Sequence, residues 1–241
     1  MQRLYIEDFP SEEEAFFALG SRLGPPAAPA EQAAPAEQPA ASAAVVDVCA
    51  FAVIDTETSG LTARDVAIQV AVAFCASDGR VIGQYNRFWR LPAGVFINPS
   101  AFRVHRISAS KLRTEGYSAC DEVPLLCRLL RRVLDRGARV IAHNASFDHR
   151  ILRQTAAAHG VNLSIQLQQL FCTMQASKHR CGLSNARGAS KAPTNSELHK
   201  FLFGDEPRGA LHDAMVDVTV TARSFAECVR RGWWPLWSSS R

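Results

Sequence analysis

The sequence predicts an α/β domain over residues 45–241, behind a disordered N-terminal extension. Three observations predict it. Strand-like runs at 49–55, 66–76 and 81–91 follow one another closely, separated by turn residues such as Ser77-Asp78-Gly79. The short apolar run Val140-Ile-Ala142 passes straight into a helical pattern. Near the end, Met215, Val218, Ala222, Phe225 and Val229 recur at spacings of three and four, which places them on one helix face.

At the N-terminus, residues 1–24 contain one candidate short helix, with Ser11 and Glu14 in a capping-box pattern and Phe16, Phe17, Leu19 and Leu23 as its apolar surface. A helix this short is marginal alone, so the segment is a candidate docking site for a protein partner. Residues 25–44 are rich in Ala and Pro and repeat Pro-Ala-Glu-Gln at 29–32 and 35–38. They read as a semi-extended linker reaching up to ~60 Å. The three strand runs that follow imply an antiparallel meander. Residues 92–117 read as irregular, punctuated by Pro92, Gly94 and Pro99. A helix is expected from the candidate cap Ser118 to Gly137, with Val123, Leu126, Leu130, Val133 and Leu134 on its apolar stripe. The strand at 139–142 leads to a helix ending near His159, with Asn144 suited to cap it and Asp148 about one turn in. That places Asp148 just past a strand's C-terminal end, where open α/β sheets hold their ligands. Residues 160–208 show no clear pattern and read as a basic loop or lid. The last helix ends at Gly232, and Trp233, Trp234 and Trp237 read as packing the tail onto the domain rather than as stacking bases.

Composition narrows the function classes. No apolar run approaches the ~20 residues that span a bilayer, so no membrane association is expected. The N-terminus lacks the apolar core of a secretory signal, and Glu7, Asp8 and Glu12 to Glu14 speak against a mitochondrial presequence. Seven scattered cysteines suggest reduced thiols and an intracellular protein. Cys172, His179 and Cys181 cluster, but their spacing fits no common zinc pattern. The net charge of +4 conceals a split: residues 1–44 carry two basic against seven acidic side chains, leaving the domain at +9. A basic domain points to a polyanionic partner, nucleic acid first.

The run Phe51-Ala-Val-Ile-Asp-Thr-Glu-Thr-Ser-Gly-Leu61 organises the chain. Asp55 and Glu57 are two apart, so on a strand both carboxylates share a face. Two acids so close repel, and a divalent cation offsets that cost; two solvated acids at a strand end are the bland alternative. Asp148 and Asp217 add two more acids. His212 lies five residues before Asp217, ~140° away on an ideal helix, so the two converge only if His212 precedes the helix, with Asp213 as its cap.

In these residues the chain resembles the DEDDh 3′→5′ exonucleases, a proofreading superfamily. The motifs that carry the resemblance are the run 51–61, Val140-Ile-Ala-His-Asn-Ala-Ser-Phe-Asp148, and Leu211-His-Asp-Ala-Met-Val-Asp217. It covers about residues 49–231. The resemblance implies an RNase H-like fold, a mixed β-sheet flanked by α-helices. It implies hydrolysis of single-stranded DNA or RNA from a free 3′ end, releasing nucleoside monophosphates, with two divalent cations, Mg²⁺ or Mn²⁺. By the same resemblance Asp55, Glu57 and Asp217 hold the first cation. Asp55 bridges to the second, which Asp148 supports, and His212 is the general base. Thr58, Ser59, Gly60 and Leu61 would hold the terminal nucleotide, with Asn144 and Phe147 lining the same pocket. The segment Val104-His105-Arg106-Ile107 departs from the family, which often has glycine between His and Ile. The competing reading is a catalytically silent relative that uses the fold for binding or assembly. Such a relative is expected to have lost an acid or the histidine, and none is lost here.

Overall fold

In chain order the elements are α1 (Ala43–Val48), β1 (Phe51–Thr58), β2 (Ala67–Cys75), β3 (Val81–Phe88), α2 (Pro99–His105), α3 (Ala109–Glu115), α4 (Ala119–Asp135), β4 (Arg139–Ala142), α5 (Ala145–Ala158), β5 (Leu170–Cys172), α6 (Thr173–Cys181), α7 (Asn195–Phe203) and α8 (Ala214–Arg230). They come from a computed structural model that describes residues 43–209 and 212–236, all within the compact unit Gln38–Arg241. The candidate helix near 11–23, most of the expected linker, and Trp237 lie outside the described residues.

The strands form one sheet in the order β3-β2-β1-β4-β5. β3, β2 and β1 make the expected antiparallel meander, while β4 joins β1, and β5 joins β4, in parallel. The sheet is therefore mixed, with helices on both faces. The sequence explains why. All nine residues of β2 are buried, as are the first four of β1. Strands apolar on both faces must be covered on both. One face, with Phe51 and Val53 of β1 and Ala71 and Ala73 of β2, lies under Val218, Ala222 and Phe225 of α8. The other, with Ala52, Ile54, Val70, Val72 and Phe74, packs against Val123, Leu126 and Leu130 of α4 and Ile151 and Leu152 of α5. No described helix is long and apolar enough to cross a membrane.

Several expectations need correcting. Residues 92–117 contain two seven-residue helices, α2 and α3. Pro99 is not a breaker there; it sits in the first turn of α2, where a missing N–H costs nothing. Residues 160–208 contain β5, α6 and α7 rather than a continuous loop. The first strand begins at Phe51, because α1 occupies 43–48. Ser118 and Asn144 hold the cap positions of α4 and α5, but neither side chain makes a capping hydrogen bond. Trp234 is buried against Phe225 and Phe171, so the tail packs on the domain as expected.

β4 is short and pairs with β1 only from Phe51 to Val53. The distal half of β1 therefore runs past it, toward the start of α5. That overhang positions the site.

Candidate active site

Phe51, Val53, Asp55 and Glu57 share one face of β1, by the two-residue period of a strand. The first two are buried beneath α8, so the two acids continue the same stripe beyond the core. Opposite them on β2 stand Ala71 and Gln69, the first of which leaves space and the second of which hydrogen-bonds. Gln69 donates to Asp213 Oδ1 at 3.3 Å and accepts from the Ala214 N–H at 3.4 Å, which ties the start of α8 to the sheet.

α8 begins as the sequence requires. Asp213 is its N-cap and accepts from the Met215 N–H at 2.8 Å. His212 thus precedes the helix, at φ 71°, and its backbone N–H donates to Asp217 Oδ2 at 2.8 Å. One ligand-capable atom each from Glu57, His212 and Asp217 lie within 4.8 Å of one another. Asn195 of α7 donates to Asp217 Oδ1 at 3.3 Å and to its backbone carbonyl at 3.2 Å. Asp148, one turn into α5, is buried and accepts from Thr56 Oγ1 at 2.9 Å.

The charges are crowded. Burial, then the charges of Asp148, Asp217 and Glu57, pushes the Asp55 carboxyl well above the usual range. Burial, then Asp217, Asp213 and Asp148, pushes Glu57 up to about 8. Burial likewise pushes Asp148 up to about 7, although the hydrogen bond from Thr56 pulls the other way. Asp217 is also raised by burial, with the His212 N–H and Asn195 opposing. Four carboxylates that resist ionising together, with oxygen donors only, suit hard divalent cations, which cancel the repulsion.

Beside the acids lies a cleft of about 340 Å³, lined by Thr56, Glu57, Thr58 and Leu61, by Ser100, Ala101, Val104 and His105 on and beside α2, and by Phe147. Leu61 is 73% exposed, an apolar side chain held out over the slot. Ser59 and Gly60 do not reach its wall. Ser59 is fully buried and donates to Asp65 Oδ1 at 2.7 Å, and a Cβ at Gly60 would meet the same carboxylate at 2.7 Å. Burial pushes Asp65 up, but hydrogen bonds from Thr62 and Ser59 outweigh it and hold the carboxyl low. Those bonds fix the turn that presents Leu61. Asn144 also lies off the wall, its Oδ1 accepting from Ser146 at 3.1 Å. Cys172 and Cys181 do not form a metal knuckle with His179. Cys172 donates to the His143 carbonyl, Cys181 is buried in the core, and no such cluster occurs among the described residues.

Sequence reasoning missed four contributors. Asn195 sits in a segment read as loop. Its signal was the pattern Thr194-Asn-Ser-Glu197, which forms a full capping box on α7. Gln69 is hidden in an apolar strand and carries no short-range signal. Val104 and His105 lie on a helix read as irregular chain. Burial lowers the His105 imidazole below its usual value, with the Thr58 backbone opposing.

A family model for exonucleases (RNase_T) matches residues 52–225. The chain belongs to this exonuclease family. The match takes in all five residues of the acid and histidine cluster. The exonuclease domain is 26% identical over 197 residues to Ribonuclease T of Pectobacterium atrosepticum, covering 76% of this chain and 85% of that protein. It is 28% identical over 184 residues to a DNA polymerase III subunit epsilon-like protein of Rhodobacter capsulatus, covering 75% of this chain but only 24% of that protein. Its fold is shared with E. coli Exonuclease I in complex with a dA16 oligonucleotide, at 18% identity and a TM-score of 0.59, over 75% of this chain and 41% of that one. It is shared equally with the nuclease domain of 3′hExo, a DEDDh family member bound to rAMP, at 9% identity and a TM-score of 0.59, over 76% and 92%. The exonuclease fold is thus the RNase H-like one, a mixed sheet flanked by helices.

Proposed function

We propose that this protein is a metal-dependent 3′→5′ exonuclease that hydrolyses phosphodiester bonds of single-stranded nucleic acid and releases nucleoside monophosphates. The observation that carries the reading is His212. Its own backbone N–H is strapped to Asp217, outside the helix, which stands the imidazole against Glu57 and Asp217. Asp55, Glu57 and Asp217 would hold one Mg²⁺ or Mn²⁺, and Asp55 with Asp148 a second. When bound, the cations stabilise charge on the phosphate and on the attacking and leaving oxygens.

The chain's own residues do the rest. His212 accepts a proton from the water that attacks phosphorus, the work of a general base. The bond from phosphorus to the 3′ oxygen of the preceding nucleotide breaks, and that oxygen leaves with a proton. The terminal nucleotide departs with its 5′ phosphate. Leu61, Val104 and Phe147 offer apolar surface to its base, and Thr58 lines the same slot. Exonuclease I, crystallised with an oligodeoxynucleotide, and 3′hExo, crystallised with rAMP, lend support from the two nucleic-acid classes. For residues 1–24 we propose a tether to a protein partner through Phe16, Phe17 and Leu19.

The test uses 5′-labelled single-stranded DNA and RNA oligomers side by side, with Mg²⁺, Mn²⁺ or excess EDTA. A ladder shortening from the 3′ end is expected with either cation and none with EDTA, while a 3′-phosphate resists. Cleavage that persists in EDTA, or that cuts a closed circular strand equally, sinks the proposal. A protein that binds the oligomers and cleaves none would instead be the silent relative.

A further inference from the structure

Among the described residues, two other than glycine have positive φ: His212 at 71° and Arg106 at 59°. Left-handed backbone is unfavourable for a residue with a Cβ, and such strain concentrates where a side chain has work to do. The strap to Asp217 accounts for His212. Arg106 has no such account yet.

The backbone at 106 has little choice. The start of α2 is fixed because the Asn98 N–H donates to the Ser59 carbonyl at 2.7 Å. Its end is fixed because the Arg106 N–H donates to the Phe102 carbonyl at 2.8 Å. One residue later Ile107 is buried with Val66, Ile68 and Leu112, and its N–H donates to His105 Nδ1 at 3.0 Å. The chain must therefore close the helix and dive into the core within one residue, the left-handed helix end that glycine takes without strain. Arginine stands there instead. Its side chain is exposed, and no described residue forms an ion pair, side-chain hydrogen bond or ring contact with it. Favouring the negative end of α2 does not explain it, because Arg103 in the last turn already does so from unstrained backbone. Arg106 directly follows Val104 and His105, two residues of the slot wall.

We propose that Arg106 is a substrate-binding residue whose guanidinium grips a backbone phosphate of the strand whose 3′ end lies in the slot. This rests on the exonuclease reading above. A planar guanidinium can take two phosphate oxygens at once, which makes arginine the suited residue. The fixed turn would aim it at the strand while keeping it clear of the reacting phosphate.

The experiment measures binding of a 5′-fluorescein single-stranded 12-mer by anisotropy with Ca²⁺ across a salt series, together with kcat, KM and melting temperature, on the full chain. Arg106→Gly removes charge and strain together, Arg106→Gln removes only the charge, and Arg106→Lys keeps it. For the first two, Kd and KM are expected to rise about three- to tenfold. Their kcat should stay within about twofold. The slope of log Kd on log salt should shrink by ~0.7, one counterion on a single strand, and Arg106→Lys should restore it. Arg106→Gly alone should melt above the wild type. An Arg106→Gly protein that melts higher yet keeps wild-type Kd, KM and salt slope overturns the inference while leaving the exonuclease reading intact. A wild type that neither binds nor degrades the oligomer overturns both.

Discussion

The site's floor, which is the acid cluster, and the wall of the cleft beside it are built differently. The acids of the floor stand at the ends of β1 and at the starts of α5 and α8, elements whose apolar faces are among the most buried in the protein. The wall stands largely on α2, none of whose seven residues is buried, and on Leu61 at the tip of a turn. Crowding like charges is costly and needs a scaffold that cannot relax away from it. Gripping a flexible strand needs exposed surface that can adapt. Substitutions at the floor should therefore change chemistry and charge-linked stability, whereas those at the wall should change affinity.

The largest effect expected is at the floor. Asp55→Asn or Asp217→Asn should lower kcat by ~10³-fold or more, the value of several kcal/mol of cation-borne stabilisation. The melting temperature of the metal-free protein at pH 8 should not fall, because a repelling charge has gone. Steady-state assays and thermal melts on the same preparation check both. A variant that melts lower and keeps its activity would show that these acids serve the scaffold rather than the chemistry.

The second effect is on stability. Glu57 is pushed up to about 8 and Asp148 to about 7, by burial first, while an unfolded chain releases these protons near pH 4. Between those values the folded state holds more protons than the unfolded one, so stability falls as pH rises. The metal-free protein should therefore melt progressively lower from about pH 5 to pH 8. Saturating Mg²⁺ should flatten that limb, and a limb that persists with Mg²⁺ would mean that the cation does not sit among these carboxylates. His143 works in the opposite sense. Burial pushes its imidazole down to about 4, so its contribution is lost as pH falls below the ordinary histidine value.

The wall should respond more mildly. Leu61→Ala removes exposed apolar surface over the slot and should raise KM about three- to tenfold. Its kcat and melting temperature should stay close to wild type. A loss confined to kcat would show that Leu61 belongs functionally with the floor.

The same division governs what was legible in the sequence. The floor could be read because its residues sit in short motifs on strongly periodic elements. The two-residue spacing of Asp55 and Glu57 and the five-residue spacing of His212 and Asp217 each implied a geometry that the fold contains. The α2 side of the wall could not be read, whereas Thr58, Leu61 and Phe147 on its other side could. α2 buries nothing and α3 buries only Leu112, so neither carries an apolar stripe. Pro99, which starts α2, looks like punctuation. Ser59 and Gly60 sit in the motif but do not line the cleft; they fix the turn beside it. Asn195 was within reach through its capping box. Gln69 was not, because its partners lie 17 and 144 residues away.

In the proposed mechanism the floor is a hydrolytic site with His212 as its base. The most direct measurement is the single-turnover cleavage rate of a 5′-labelled single strand, followed across pH with saturating Mg²⁺, for the wild type and His212→Ala. The wild-type rate should climb with pH and level off, as expected when a base must be unprotonated to act. The variant should bind the strand as tightly, cleave it ~10²–10⁴-fold more slowly, and lose that climb. A variant within about twofold of wild type, with the same pH profile, would show that His212 does not take the proton.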